Sequence, residues 1–377
     1  MALSTVQYRV QFYSFLNNTT FAIGPLISEP ARIKNIGWAH YLNDVPECFF
    51  TLDQLDPQVA LLRLYKGKAH VRILRSGDSG LTWDVVWTGW GPMELDSNER
   101  DVVMTCYGYL SGLYWLHTDW DQTWTGTQMD DIINDLWVRA KTTLTQSNLN
   151  FVTTGTVEAP VTTSGGSTAI VLPSYRTYIK RILFALQELS ALAASDTNNG
   201  VVFEITHSTT PTFNFWKNLG QDRTTMVWEL GGAVSSFREI SLPVLHRNQI
   251  LSVGSPANDA VFRYDTSDSG DINDFGRRQE ALYLSWVRDE LELQRVTDRR
   301  KAMALREDIY LELRFAHGRV LPPGVTGAGY ILGDRIKIRI DRGATSVDEY
   351  RLVTGVQVLY VRGAEHVQAL TMQRPGA

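Results

Sequence analysis

The last fifth of the chain constrains the fold most. Gly329-Tyr330-Ile331-Leu332-Gly333-Asp334 runs directly into Arg335-Ile336-Lys337-Ile338-Arg339-Ile340. Successive side chains of a strand point to opposite faces, so Arg335, Lys337 and Arg339 share one face and the three isoleucines the other. Two more extended runs, residues 350–361 and 365–372, are separated by Arg362-Gly363-Ala364. The pattern predicts a small antiparallel β-module with one buried face. Charge on the opposite face reads as protection of an edge strand. No nucleophile, phosphate loop or metal cluster accompanies it, so this end reads as a structural part.

At 377 residues the chain exceeds one ordinary core, and two or more domains are expected. A net charge of -5 argues against a dedicated nucleic-acid binder, which carries a basic excess. No apolar run reaches the roughly 20 residues of a membrane span. Met1 to Gln7 lacks the basic and apolar regions of a signal peptide, which predicts synthesis in a cytosol. Cys48 and Cys106 lie in apolar, strand-like surroundings and read as buried free thiols. Eleven tryptophans supply large apolar area with a polar handle, suited to cores and interfaces alike.

Residues 7–12, 32–38, 47–52, 59–65, 69–74, 83–90 and 102–107 read as short strands, with Gly67 in a hairpin turn. Thr127 with Asp130 fits a capping box. Met129, Ile132, Ile133, Leu136, Trp137 and Ala140 then repeat at helical spacing. Residues 142–168 form a threonine-rich excursion, with a strand near residues 150–152. Residues 174–194 read as a second helix, with Ile179, Ile182, Leu183, Leu186 and Leu189 inward. Strands resume at 201–205, 212–216, 225–230, 237–242 and 261–264, followed by a charged helix at 289–305 and a strand at 311–315.

The fold class expected is α+β, with two β-barrel-like domains, intervening helices and the C-terminal antiparallel module. The boundaries read as 1–110 for the first barrel-like domain and 111–198 for a helical domain holding the 142–168 excursion. A second barrel-like domain follows at 199–288, then the charged helix and module at 289–377, with strands free to exchange between segments.

Candidate chemistry is sparse. Asp119, Asp121, Asp130, Asp131 and Asp135 lie close to Trp115, Trp120 and Trp124, the ingredients of a sugar cleft. Asp130 and Asp131 equally suit a helix first turn, where carboxylates face the positive dipole end. Residues 265–274 (Asp265-Thr266-Ser267-Asp268-Ser269-Gly270-Asp271-Ile272-Asn273-Asp274) resemble a calcium loop, but the twelfth position is Gly276 instead of a glutamate. A loop stabilised by Asx turns is the favoured reading there, and an irregular cation site the alternative. The seven histidines, at 40, 70, 117, 207, 246, 317 and 366, form no HxH or HExxH pair. No G-x-S-x-G elbow and no GxxxxGK[ST] loop occurs. No catalytic, cofactor or metal residues are assigned. On the 289–305 helix, Glu290, Glu292, Arg295, Asp298, Arg299, Arg300 and Lys301 read as a solvated face with i,i+4 pairs, a subunit interface being the alternative.

Several segments in order resemble one family. Trp83-Asp84-Val85-Val86-Trp87-Thr88-Gly89-Trp90, followed by Asp101 to Leu110 (DVVMTCYGYL), is similar to a passage of phage tail-hub proteins. Gly220-Gln221-Asp222-Arg223 before Val227-Trp228-Glu229-Leu230 resembles a later landmark of these baseplate-hub or minor-tail proteins, as does the Gly329 to Asp334 segment. The resemblance implies a homotrimer whose two β-barrel domains per subunit form a pseudo-six-fold ring. It implies a place in a long-tailed phage virion, assembled in the host cytoplasm. The partners implied are a tail tube or distal tail protein above and tip, fibre or receptor-binding proteins below. DNA would pass through without specific binding, and no active site or cofactor is implied. The alternatives are a carbohydrate-binding tail or baseplate accessory protein and a cell-wall hydrolase.

Overall fold

A computed structural model describes residues 6–16, 21–118, 121–143, 147–158, 170–177, 179–194, 202–216, 220–241, 247–254, 261–284, 287, 290–304, 309–343 and 345–373. The first block holds β1 (Gln7–Phe15), β2 (Ile23–Ser28), β3 (Ile33–Tyr41), β4 (Glu47–Asp53), helix α1 (Pro57–Leu64), β5 (Ala69–Ser76), β6 (Asp84–Ser97) and β7 (Asp101–Gly108). Its expected strands are present except one. Residues 59–64 of the expected 59–65 strand are helical because Asp56 caps the helix, accepting the Gln58 N–H at 2.9 Å, and Pro57 opens the first turn. Val59 and Leu62 then face the core at i, i+3 spacing. Gly67, at φ 68°, turns the chain from this helix into β5 and does not close a hairpin.

The middle of the chain contains α2 (Ser111–Trp115), β8 (Gln122–Gln128), α3 (Met129–Val138), a π-helical turn Arg139–Thr143, β9 (Thr153–Val157), β10 (Val171–Thr177) and α4 (Ile182–Ala194). The buried stripe of α3 is the expected one. Its cap is not: Thr127 lies within β8 opposite Leu172, and Gln128 occupies the cap without a side-chain bond. The second helix is shorter than expected. Its first residues belong to β10, which pairs with β8 and buries Tyr175 against Trp124 at 5.9 Å. Ile179 sits at φ 47° and is 63% exposed, so the helix starts after it and the residue is not inward. In the threonine-rich stretch, residues 150–152 are a turn and the strand begins at Thr153. Residues 159–168 lie outside the described part.

The rest comprises β11 (Val202–Ile205), β12 (Thr212–Trp216), β13 (Asp222–Glu229), β14 (Val234–Ser241), β15 (Gln249–Gly254), β16 (Phe262–Ser267), α5 (Ser269–Phe275), β17 (Gln279–Leu284), α6 (Glu290–Ala304), β18 (Ile309–Phe315), β19 (Arg335–Arg342), β20 (Thr345–Val361) and β21 (Ala364–Gln373). The C-terminal alternation is realised as read: Ile336, Ile338 and Ile340 are buried, while Arg335, Lys337 and Arg339 stay on the wetter face. Arg362 and Gly363, both at positive φ, make the tight turn between β20 and β21.

The large-scale arrangement corrects the expected fold class. Thirteen strands form one sheet, running β14-β18-β21-β20-β3-β4-β7-β6-β5-β1-β2, with β19 on β20 and β13 on β19. All its pairings are antiparallel except β13 with β19. The molecule is mostly β with short helices, and among the described residues no sheet closes into a barrel. The cause is the length of β20, 17 residues. Its first part pairs with β19 and its last part, Gly355 to Val361, pairs with β3, while β21 runs along the other edge. The C-terminal module is therefore continuous with the first block. Lining β19 with charge is not edge protection either, because β19 has a neighbour on both sides. Its cations meet acids instead: Arg335 pairs with Asp222, and Lys337 with Asp348 at 3.1 Å.

Three smaller sheets complete the fold: β8 with β10, β9 with β12 and β11, and β15 with β16 and β17. One core joins the two halves of the large sheet through Trp38, Phe50, Trp87, Trp228 and the three isoleucines. A second lies under Trp90 and Tyr109 and takes in α3, α4, Phe203 and Phe213. Full burial of such side chains stabilises by about 1.5–3 kcal/mol each. A buried ion pair ties the chain ends to the middle. Arg75 Nε and Nη2 donate to the two oxygens of Glu365 at 2.6 and 2.9 Å, and Tyr8 Oη donates to the same carboxylate at 2.5 Å.

Candidate functional site

The carboxylates and tryptophans of the expected sugar cleft are put to local structural use. Trp124 is buried and its indole N–H donates to Asp135 Oδ2 at 3.2 Å. The other Asp135 oxygen takes Arg139 Nε at 2.9 Å, an i,i+4 pair. Asp121 pairs with Arg176 across the β8–β10 sheet. Asp130 and Asp131 stand in the first turn of α3. Asp119 and Trp120 lie outside the described residues. Of the described members Trp115 is open, at 42%, and among the described residues no aromatic platform faces a carboxylate pair. The 265–274 stretch is likewise local architecture. Asp268 caps α5 by accepting the Asp271 N–H at 2.9 Å, and Asp265 accepts both bonds of the Gln249 amide. Among the described residues no group of three or more His, Cys, Asp or Glu side chains converges as a metal site. On α6, Arg300 grips Glu280 of β17, so part of the charged face holds the helix to its sheet.

Trp115 belongs to a different feature. Tyr114 and Phe184, both about two-fifths exposed, meet edge to face at 5.8 Å. The Arg181 guanidinium lies 3.8 Å over the Tyr114 ring and 5.5 Å from that of Phe184. Together they make an outward aromatic and cationic patch where α2 meets the start of α4, and Trp115 and Ile179, also exposed, adjoin it in sequence. A cluster of this kind at the surface, where Tyr, Trp and Arg are enriched in interfaces, is a contact surface by composition.

The second feature is a cavity of about 330 Å³ where the β9–β12–β11 sheet meets the large sheet and the 323–332 loop. His40 of β3 and His207, just after β11, stack face to face with ring centroids 4.1 Å apart and planes 8° apart. Trp87 stacks beyond His207 at 6.1 Å. The Thr88 N–H donates to His207 Nδ1 at 2.9 Å, which places the ring proton of the neutral imidazole on Nε2. Burial pulls His207 down to about 4, and burial followed by the neighbouring His207 pulls His40 well down too. Glu204 and Asp84 also line the cavity, as does Trp216. Burial raises Glu204 to about 7.

No HxH or HExxH spacing links His40 and His207 in the sequence. Contact between β3 and the loop after β11 brings them together. A local signal existed for Glu204: an acid between Phe203 and Ile205 in an otherwise apolar four-residue strand. Such a residue marks a face of the strand that does not enter the core.

The geometry has known counterparts. No family model and no curated protein sequence matches the chain. Solved structures do. A 43 kDa tail protein of prophage MuSo2 from Shewanella oneidensis superposes with a TM-score of 0.62 at 12% identity, over 97% of this chain and 98% of that one. A tail protein from Neisseria meningitidis MC58 gives 0.60 at 12% identity, over 98% and 97%. A Francisella PdpA–VgrG complex gives 0.54 at 10% identity, over 99% of this chain but 53% of the matched chain. Over nearly its full length, the chain has the fold of phage tail proteins.

Proposed function

We propose that the chain is a structural hub of a phage tail tip or baseplate. It assembles as a homotrimer whose pseudo-six-fold ring joins the tail tube or distal tail protein to a three-fold tip and lets DNA through on infection. The observation that carries this reading is the end-to-end fold match with two phage tail proteins. The match with a VgrG-containing complex is consistent with a part that holds other proteins. Its role is mechanical and non-enzymatic. The arrangement of the large sheet supports it: two sets of strands, β1–β7 and β13, β14 and β18–β21, joined through β20 and β3, would be repeated three times around a ring. A heterologous contact closes into a ring only when its rotation permits, so three-fold closure is a sharp expectation. The Tyr114, Trp115 and Phe184 patch supplies a contact surface of the right composition. A net charge of -5 suits a channel that releases DNA, since affinity for the phosphate backbone depends on cationic contacts.

Mass photometry of the purified chain, with negative-stain class averages of the same sample, tests the proposal. A three-subunit ring with a central opening is expected. A monomer that stays monomeric when the adjoining tail protein is added would overturn it.

A further inference from the structure

The cavity beneath the stacked histidines has an electrostatic imbalance that nothing in the hub role requires. Glu204 and Asp84 line it, and among the described residues no lysine or arginine does. Neither carboxylate has an ion pair or a side-chain hydrogen bond among the described residues, whereas Glu365 and Asp334, both buried, are each gripped by an arginine. Asp84 is exposed, but Glu204 is partly withdrawn from water, and such a carboxylate is ordinarily paired because an isolated charge away from water is costly. Burial alone drives the Glu204 shift towards neutrality, with no neighbouring cation opposing it. Trp216 stands directly opposite Val202 in the β11–β12 pair, so it shares a sheet face with Glu204, two residues further along. That diagonal puts the indole ring within reach of the carboxyl, and both side chains line the cavity. The two imidazoles are held neutral and do not compete as cations. His40 Nε2 is buried without a hydrogen-bond partner, a further polar atom of this pocket left unsatisfied.

We propose that the cavity is a binding site for an organic cation, a primary ammonium or guanidinium group. Glu204 supplies the charge-assisted hydrogen bond, Trp216 the aromatic face and Asp84 a second carboxylate at the more exposed end. Two sources present this chemistry: a free alkyl polyamine, and the basic side chain of a neighbouring protein chain.

Calorimetric titration of the full chain with agmatine, putrescine and N-acetyl-arginine methylamide tests the site. At pH 8.5, where Glu204 is ionised, agmatine should bind, and Glu204→Gln should weaken it by about tenfold or more. At pH 5.5, 1.5 units below the raised value of about 7, affinity should drop by roughly thirtyfold as the carboxyl takes its proton. Trp216→Leu should weaken binding without altering that pH dependence. In the unmodified protein, the Glu204 carboxyl carbon, followed by NMR, should titrate at lower pH when agmatine is saturating. This readout does not depend on any variant folding. Blocked arginine binding as well as agmatine would assign the site to a side chain from a neighbouring chain. Diamines binding while blocked arginine does not would assign it to a free polyamine. Absence of binding by all three probes at pH 8.5, binding unchanged by Glu204→Gln, or a Glu204 titration unmoved by agmatine would each overturn the proposal.

Discussion

Asp334 and Arg223 meet across 111 positions, Arg223 Nε donating to Asp334 Oδ2 at 2.6 Å while the carboxylate itself is fully buried. The same carboxylate accepts the Gln221 N–H at 2.7 Å and the Ile331 N–H at 2.9 Å. It therefore fastens β13 to the turn that opens β19. The backbones are so close there that a Cβ on Gly220 would fall 2.0 Å from the Gly333 carbonyl oxygen. Asp334→Ala would leave the Gln221 and Ile331 N–H groups and the partly exposed Arg223 guanidinium without their acceptor, and should cost about 1–3 kcal/mol in urea unfolding. Asp334→Asn, which keeps an acceptor, should cost less. Equal losses in the two variants would show that the carboxylate's charge and bonds are not what holds the junction.

Arg75 and Glu365 make a comparable bond between β5 and β21, at 4% and 7% exposure. Removing one partner leaves a buried charge, so Arg75→Met should destabilise by about 3–5 kcal/mol. The double variant Arg75→Met, Glu365→Leu should recover much of that loss. A double variant as unstable as the sum of the two singles would contradict this coupling.

The two ends of the Asp334 junction, Gly220 to Arg223 and Gly329 to Asp334, were legible in the sequence as landmarks, and so was the alternation of Ile336, Ile338 and Ile340. A period of two residues is a local property, and these isoleucines obey it. The destination of β20 was not legible. Its pairing with β3 links residues more than 300 positions apart, and no local pattern encodes that register. For the same reason two barrel-like units were expected where one sheet runs through. The helix α1 was misread because Val-Ala-Leu-Leu suits either state, and the deciding signal was the Asp56-Pro57 start. The cavity was invisible because His40, Glu204, His207 and Trp216 come from three separate elements and a loop.

Acid should weaken the fold through its histidines. His70 and His207 are both held down to about 4 by burial, against an ordinary 6.5. Below pH 6.5 the unfolded chain takes up these protons and the folded chain does not. The histidine contribution is thus complete above 6.5, declines as pH falls towards 4, and levels off beneath it. Glu204 acts in the opposite sense: its stabilisation is full below its ordinary 4.5 and is lost as pH rises through about 7. Each histidine should contribute a slope of up to about 1.4 kcal/mol per pH unit within the window. Urea midpoints at pH 7.5, 5.5 and 4.5 measure it, and His207→Gln should remove one proton's worth of slope. An unchanged slope in that variant would mean His207 titrates alike in both states.

Cys48 and Cys106 face each other across β4 and β7, both buried, and burial raises the Cys48 thiol further. A thiol reacts as its thiolate. Neither should react with Ellman's reagent in the native protein, and both should react on unfolding in urea. Rapid labelling of the native chain would mean that the β4–β7 ladder opens readily in solution.

The Tyr114, Trp115 and Phe184 patch separates interface from core. All three side chains are at least 38% exposed, so shortening them removes little buried area in the single chain. Arg181 lies over the Tyr114 and Phe184 rings, and a variant that spares Tyr114 keeps the nearer of these partners. A Trp115→Ser, Phe184→Ser variant should therefore keep its far-UV circular dichroism and lose no more than about 1–2 kcal/mol of single-chain stability. Its assembly should change much more, because exposed aromatics that become buried on association dominate interface energies, by about 2 kcal/mol or more per residue. Mass photometry of the variant should show fewer three-subunit particles at equal concentration. A full trimer population would remove this patch from the subunit contact and leave it to another partner.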